Sequence, residues 1–192
     1  MIDLKNSLAK YFNREYVLNN IYIALQKNSK QNIVKRYDFE GIESYLYILI
    51  KKFYLKISKD ELIYLNITED EAWKYAEINT FKNSRIVTVE EALGLEKEEN
   101  NNPEMLVLTN KSKINGASTA LNQRQIKEVM KQYNVKKAVL IPSSIHEMLL
   151  LFLDEKKEKE TLVLIQQTIK EINRDFVSEE EQLSEKYYLI NL

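Results

Sequence analysis

The residues best equipped for chemistry in this 192-residue chain lie between positions 143 and 147. Ser143, Ser144, His146 and Glu147 supply hydroxyls, the one imidazole of the chain and a carboxylate. Those are the parts of a nucleophile, a base and an orienting acid. Their spacing argues against that use. No Gly-x-Ser-x-Gly elbow presents either serine, and triad members normally converge from distant positions. On an extended strand Ser144, His146 and Met148 share a face while Glu147 points away, so Glu147 cannot orient His146. His146 therefore reads as a structural strand-end residue, and no catalytic residue is assigned. Glu61 and Glu71 could be paired for acid–base work, but each stands three positions after a hydroxyl, Ser58 or Thr68, as does Glu91 after Thr88. Helix capping boxes require that spacing.

One histidine and no cysteine leave no multi-histidine or thiolate metal site. Three scattered glycines build no phosphate-cradling loop. No metal and no cofactor are expected. The better candidates are binding residues. Asn110, Lys111, Lys113, Asn115 and Gly116 lie in a polar turn, with Asn115-Gly116 the strongest turn dipeptide of the chain. Lys111 and Lys113 could grip an anion beside the Gly116 backbone, and Gly116 is expected to take a positive φ. His146 completes this set. The small residues from Gly116 to Ala120 predict close backbone approach.

The elements that must position these residues follow from pattern. Leu4, Leu8, Tyr11, Leu18, Tyr22 and Leu25 keep a three-four spacing that predicts helix over residues 1–26. The polar, basic segment 26–37 reads as a connector. Aromatic and β-branched enrichment predicts strands over Tyr45–Ile50 and Phe53–Ile57, turning at Lys51-Lys52. The capping boxes open three short helices, the second burying Ala72, Trp73 and Ala76 and the third closed by Gly94. Charge, Asn and Pro make residues 96–103 an exposed loop. A strand is expected over Met105–Asn110 and a helix from Asn122 to about Tyr133. A hairpin of 136–141 with 145–153, turning at Pro142-Ser143-Ser144, should follow. A final amphipathic helix carries Leu162, Ile165, Ile169, Ile172 and Phe176, and an edge strand ends the chain near Tyr187-Tyr188. Leu108, Val139, Ile141, Ile165 and Ile169 are expected to share one core. The fold class is α+β, a mainly antiparallel sheet covered by helices, with an N-terminal helical arm over 1–36 and the α+β domain over 37–192.

Two segments carry a resemblance. Leu106–Ala117 (LVLTNKSKINGA) and Ile141–Glu147 (IPSSIHE), with looser matches through Ile57–Leu65, Ile67–Glu71 and Ala76–Thr80, make residues 40–190 similar to an uncharacterised domain family of unknown function from Gram-positive gut bacteria. The resemblance implies no activity, cofactor or site residue.

A net charge of −1 excludes a strongly basic nucleic-acid binder and an acidic mimic of nucleic acid. Met1–Lys5 lacks the start of a signal peptide, and no apolar run approaches the roughly 20 residues of a membrane span. With no cysteine, a cytoplasmic location is expected. Richness in Lys, Asn, Ile and Tyr suits an AT-rich bacterial or phage genome. The favoured function is a non-enzymatic intracellular protein-interaction or regulatory protein with a protein partner. An origin in a phage or mobile element, acting on a host defence system, is the guess attached to it. Two alternatives stay open: nucleic-acid binding through segment 26–37, and an unrecognised enzyme around Asn110–Ser118 and His146.

Overall fold

The computed structural model describes residues 11–95, 103–154 and 156–192. The stripe residues Leu4 and Leu8 and all of the 96–103 loop except Pro103 lie outside the described residues. Asn13 caps helix α1 (Arg14–Asn20) by accepting the Tyr16 N–H at 3.0 Å. Helix does not continue to residue 26. Residues 21–27 form strand β1 (Ile21–Lys27), with Ile21, Ile23 and Leu25 buried on one face and Tyr22 on the other. The three-four spacing of Leu18, Tyr22 and Leu25 hides a period-two pattern rich in β-branched and aromatic residues, and Asn19-Asn20 breaks the helix before it.

The first sheet is completed by β2 (Lys35–Phe39), β3 (Ile42–Ile50) and β4 (Phe53–Lys56), all antiparallel to their neighbours. β1 lies along one edge of β3, while β2 and β4 follow one another along the other edge. They meet at Leu46, whose N–H donates to Val34 and whose carbonyl accepts from Ile57. The β3–β4 turn is the expected one, with Lys51 at φ 56°. The exposed edge of β1 is covered by α3 (Glu69–Phe81). Thr80 Oγ1 accepts the Ile23 N–H at 2.9 Å, and Asn79 Nδ2 donates to the carbonyls of Leu18 and Ile21. These bonds satisfy an edge that would otherwise recruit another strand.

Ser58 and Glu61 form a full capping box on α2 (Lys59–Tyr64). Thr68 and Thr88 cap α3 and α4 (Val89–Leu93) through their hydroxyls, and Gly94 closes α4 at φ 71°. Glu71 and Glu91 bond Arg14 and Arg85.

The second sheet runs β5-β6-β8-β7-β9 and is antiparallel throughout. Its strands are β5 (Ser84–Thr88), β6 (Met105–Asn110), β7 (Lys137–Ser144), β8 (Glu147–Phe152) and β9 (Tyr188–Asn191). The sequence reading anticipates neither β5 nor β2, whose Lys35–Tyr37 fall in the segment 26–37 read as a connector and are drawn into the sheet by pairing with β3. The β7–β8 hairpin turns at Ile145-His146, because Pro142, Ser143 and Ser144 remain in β7 around a register shift. Helix α5 (Gln123–Gln132) buries Ile126 and Met130 on one face of this sheet, with Leu106, Leu108, Leu140 and Leu150. Helix α6 (Glu158–Asp175) packs Ile165 and Ile169 on Val139 across the other face. Leu108 therefore does not share a core with Ile165 and Ile169, since strand alternation sends Leu108 and Val139 to opposite faces. Phe176 and Ile172 are exposed rather than inward, and Asn173 takes the buried position instead.

The antiparallel α+β architecture is thus built as two sheets. Leu25 and Ile42 of the first pack into the same core as Leu106 and Leu140 of the second. The carbonyl of Glu40, in the β2–β3 turn, accepts the Tyr188 hydroxyl of β9 at 2.6 Å.

Candidate functional site

The turn after β6 is held by its own side chains. Asn110 Oδ1 accepts the Ser112 N–H at 3.1 Å and its hydroxyl at 2.9 Å, while Asn110 Nδ2 donates to the Ile114 carbonyl at 2.7 Å. This is the local bonding by which Asx residues make turns. Lys113 and Asn115 take left-handed φ values of 56° and 55°. The positive φ falls on Asn115 and not on Gly116. Gly116 is required for a different reason: a Cβ there would lie 2.5 Å from the His146 carbonyl oxygen and 2.8 Å from the Asn110 nitrogen. The small residues Gly116–Ala120 are buried in a 3-10 helix (Gly116–Leu121) against β6 and β8.

His146 fixes the same turn from the β7–β8 side. Its Nδ1 accepts the Asn115 N–H at 3.2 Å, and its carbonyl accepts the Thr109 hydroxyl at 3.2 Å. With Nδ1 accepting, Nε2 is the ring nitrogen left to donate, and it stands 3.4 Å from Glu181 Oε1. The carboxylate beside the ring is Glu181, not Glu147. Ser144 Oγ accepts the His146 backbone N–H at 3.1 Å, a turn bond rather than a nucleophile–base contact. His146 sits in a turn and not on a strand, because the register shift after Pro142 carries β7 on to Ser144.

The segments Leu106–Ala117 and Ile141–Glu147, far apart in the chain, thus meet at the contact of Asn115 and Gly116 with His146. A family of unknown function, DUF5688, has a sequence model that matches residues 49–191. The chain belongs to this family. No curated protein and no solved structure matches it. The DUF5688 match includes the whole turn and β4, and stops short of β1 and most of β3.

One side of the turn opens on a cleft of about 240 Å³ between the two sheets. Asn110, Lys111, Ser112 and Asn115 form one wall. Tyr22 of β1, Tyr47 of β3 and Tyr54 of β4 form the other, with Thr80 and Asn83 between. Pairing across the sheet sets Tyr22 opposite Tyr47 and Tyr54 opposite Leu49. The Tyr22 and Tyr47 rings stack at 5.7 Å, and those of Tyr47 and Tyr54 stand 5.5 Å apart. Burial pushes the Tyr47 hydroxyl pKa well up, with a hydrogen bond to Asn115 pulling weakly the other way, so the phenol stays protonated.

Of the sequence candidates, Asn110, Lys111 and Asn115 line this cleft together. Gly116 and His146 brace it from behind. Lys113 turns away and donates to the Ala92 carbonyl of α4 at 3.0 Å. Sequence reasoning misses the tyrosine wall. The alternation Tyr45-x-Tyr47-x-Leu49 carries half of the signal, but reading Tyr22 as helical conceals the other half.

The basic segment 26–37 is engaged internally. Glu43 is fully buried and accepts from Lys35 at 2.9 Å, from Gln26 at 2.5 Å and from both the N–H and the hydroxyl of Ser29. Burial alone would raise the Glu43 carboxyl, but these bonds outweigh it and hold the pKa at about 2. Arg36 lies 4.3 Å from the Trp73 ring and 3.6 Å from Glu77.

Proposed function

We propose that this DUF5688 member is a non-enzymatic protein-interaction module that holds an extended segment of a partner protein in the cleft. The observation that carries this reading is the chemistry of the lining. Among the described residues that line it, tyrosine rings, amides and hydroxyls are present with one lysine, and no carboxylate, imidazole or thiol. Such a wall offers stacking surface and paired donors and acceptors of the kind a peptide backbone requires, and aromatic-lined grooves bind extended peptides in this way. Tyrosine and lysine can move protons, but burial pushes the Tyr47 hydroxyl pKa up rather than activating it. Lys111 adds one positive charge, favouring a segment with an acidic residue or a free carboxylate. Nucleic-acid binding through segment 26–37 has less support, since Lys35 and Arg36 already face Glu43 and Glu77. A cytoplasmic bacterial or phage setting suits the cysteine-free, Lys- and Asn-rich composition.

The test is a scan of arrayed peptides followed by titration of the strongest binders. Tyr54 is 46% exposed, so Tyr54→Ala removes ring surface without opening the core. Tyr54→Ala and Lys111→Glu should each weaken binding by about tenfold, roughly 1.4 kcal/mol, at an unchanged melting temperature. Wild-type affinity in both folded variants would remove the cleft from consideration.

A further inference from the structure

Helix α6 covers only part of the outer face of the second sheet. Ile165 and Ile169 pack on Val139 of β7 and on Leu153. On the same face, beyond β7, Leu149 and Leu151 of β8 and Met105 of β6 remain half-buried. They line a groove of about 280 Å³ whose other wall is α6 itself, through Leu164, Thr168 and Ile172. These three recur every fourth residue, so they run along the groove. Leu164 is 64% exposed on this wall, so its apolar surface is available to an occupant of the groove.

The rim charge specifies an occupant. Val107, next on the same face of β6, is already buried, so among the described residues the half-buried strip beside α6 is Leu149 and Leu151 with Met105. Its borders are acidic. Glu147 shares the strand face of Leu149 and Leu151. Glu160 and Glu171 flank Leu164 and Thr168 at helical spacing and are exposed. We infer that this groove docks an amphipathic helix of a partner protein, with an aliphatic stripe seated beside α6 and Lys or Arg on both flanks. The helix-in-groove mode needs these two features, an apolar channel and complementary edges. The inference stands independently of the tyrosine cleft.

The probe is a fluorescein-labelled 18-residue helical peptide with a leucine stripe and lysine flanks, compared with its twin carrying glutamate flanks. Anisotropy should show saturable binding of the lysine peptide and binding at least about tenfold weaker for the glutamate twin. Leu164→Asn, at an exposed site, should weaken the lysine peptide about tenfold, and Glu160→Gln with Glu171→Gln should reduce both its affinity and its salt dependence. Equal binding of the two peptides, undiminished binding to Leu164→Asn, or no binding of the lysine peptide at about 1 mM overturns the inference. So does light scattering that finds a peptide-free dimer made monomeric by Leu164→Asn, since the occupant would then be a second copy of the chain.

Discussion

Glu43 concentrates more electrostatic consequence than any residue in the turn. It is a carboxylate with no exposed surface, and it survives there because Ser29, Gln26 and Lys35 satisfy it. Its folded pKa of about 2 lies below the ordinary value of 4.5. Its contribution to stability is therefore fully present above about pH 4.5 and is lost as pH falls toward about 2. A gap of that size corresponds to roughly 3 kcal/mol. Glu43→Gln should lower the urea midpoint at pH 7, and the difference from wild type should shrink steadily between pH 4.5 and 2.5. A difference as large at pH 3 as at pH 7 would mean that the bonds to Glu43 are not held by its charge. The sequence displays Glu43 as one acid inside an apolar strand and gives no hint of its partners, which come from β1, the following loop and β2.

At the scale of elements, the turn from Asn110 to Ala120 depends on backbone proximity. Gly116→Ala would place a methyl group against the His146 carbonyl and the Asn110 nitrogen, both backbone atoms that cannot swing aside. Overpacking of this kind costs about 1–3 kcal/mol, and chemical denaturation of the variant should show it. A change under about 0.5 kcal/mol would mean that β6 and the β7–β8 turn separate easily. The capped helices, the β3–β4 hairpin and β6 are legible because their signals are local: a hydroxyl three residues before a glutamate, a short apolar run rich in β-branched or aromatic residues, a glycine past a helix end. β1 is not legible, because Leu18, Tyr22 and Leu25 satisfy helical spacing while the strand is decided by pairing with β3, about 20 residues away. The cleft divides in the same way. Its turn wall could be named from Asn115-Gly116, whereas its tyrosine wall exists only once Tyr22 and Tyr47 are set opposite one another across the sheet.

The relation of the two sheets is a property of the whole molecule and rests on a few side chains. Leu25 and Ile42 leave the first sheet to pack among Leu106, Leu140 and Leu150 of the second, and both are essentially fully buried. The Phe39 and Tyr188 rings meet at 4.9 Å, tilted by 45°, across the same junction. A shared core of this kind makes the sheets unfold together, and the cleft lies between them, so its two walls keep their spacing only while the junction holds. Ile42→Ala removes buried aliphatic surface at that junction and should cost about 2–5 kcal/mol. Two probes report on opposite sides of it. Trp73, the single tryptophan, packs in the core under the first sheet, and the amides of β7 and β8 report on the second through hydrogen exchange. In Ile42→Ala, tryptophan fluorescence and β7–β8 protection should lose the same free energy and share one denaturation midpoint. If β7 and β8 keep wild-type protection while the Trp73 transition moves to lower denaturant, the sheets are separate cooperative units. The cleft would then be a hinge between them, and Tyr54→Ala and Lys111→Glu would have to be compared in a protein whose two walls move independently.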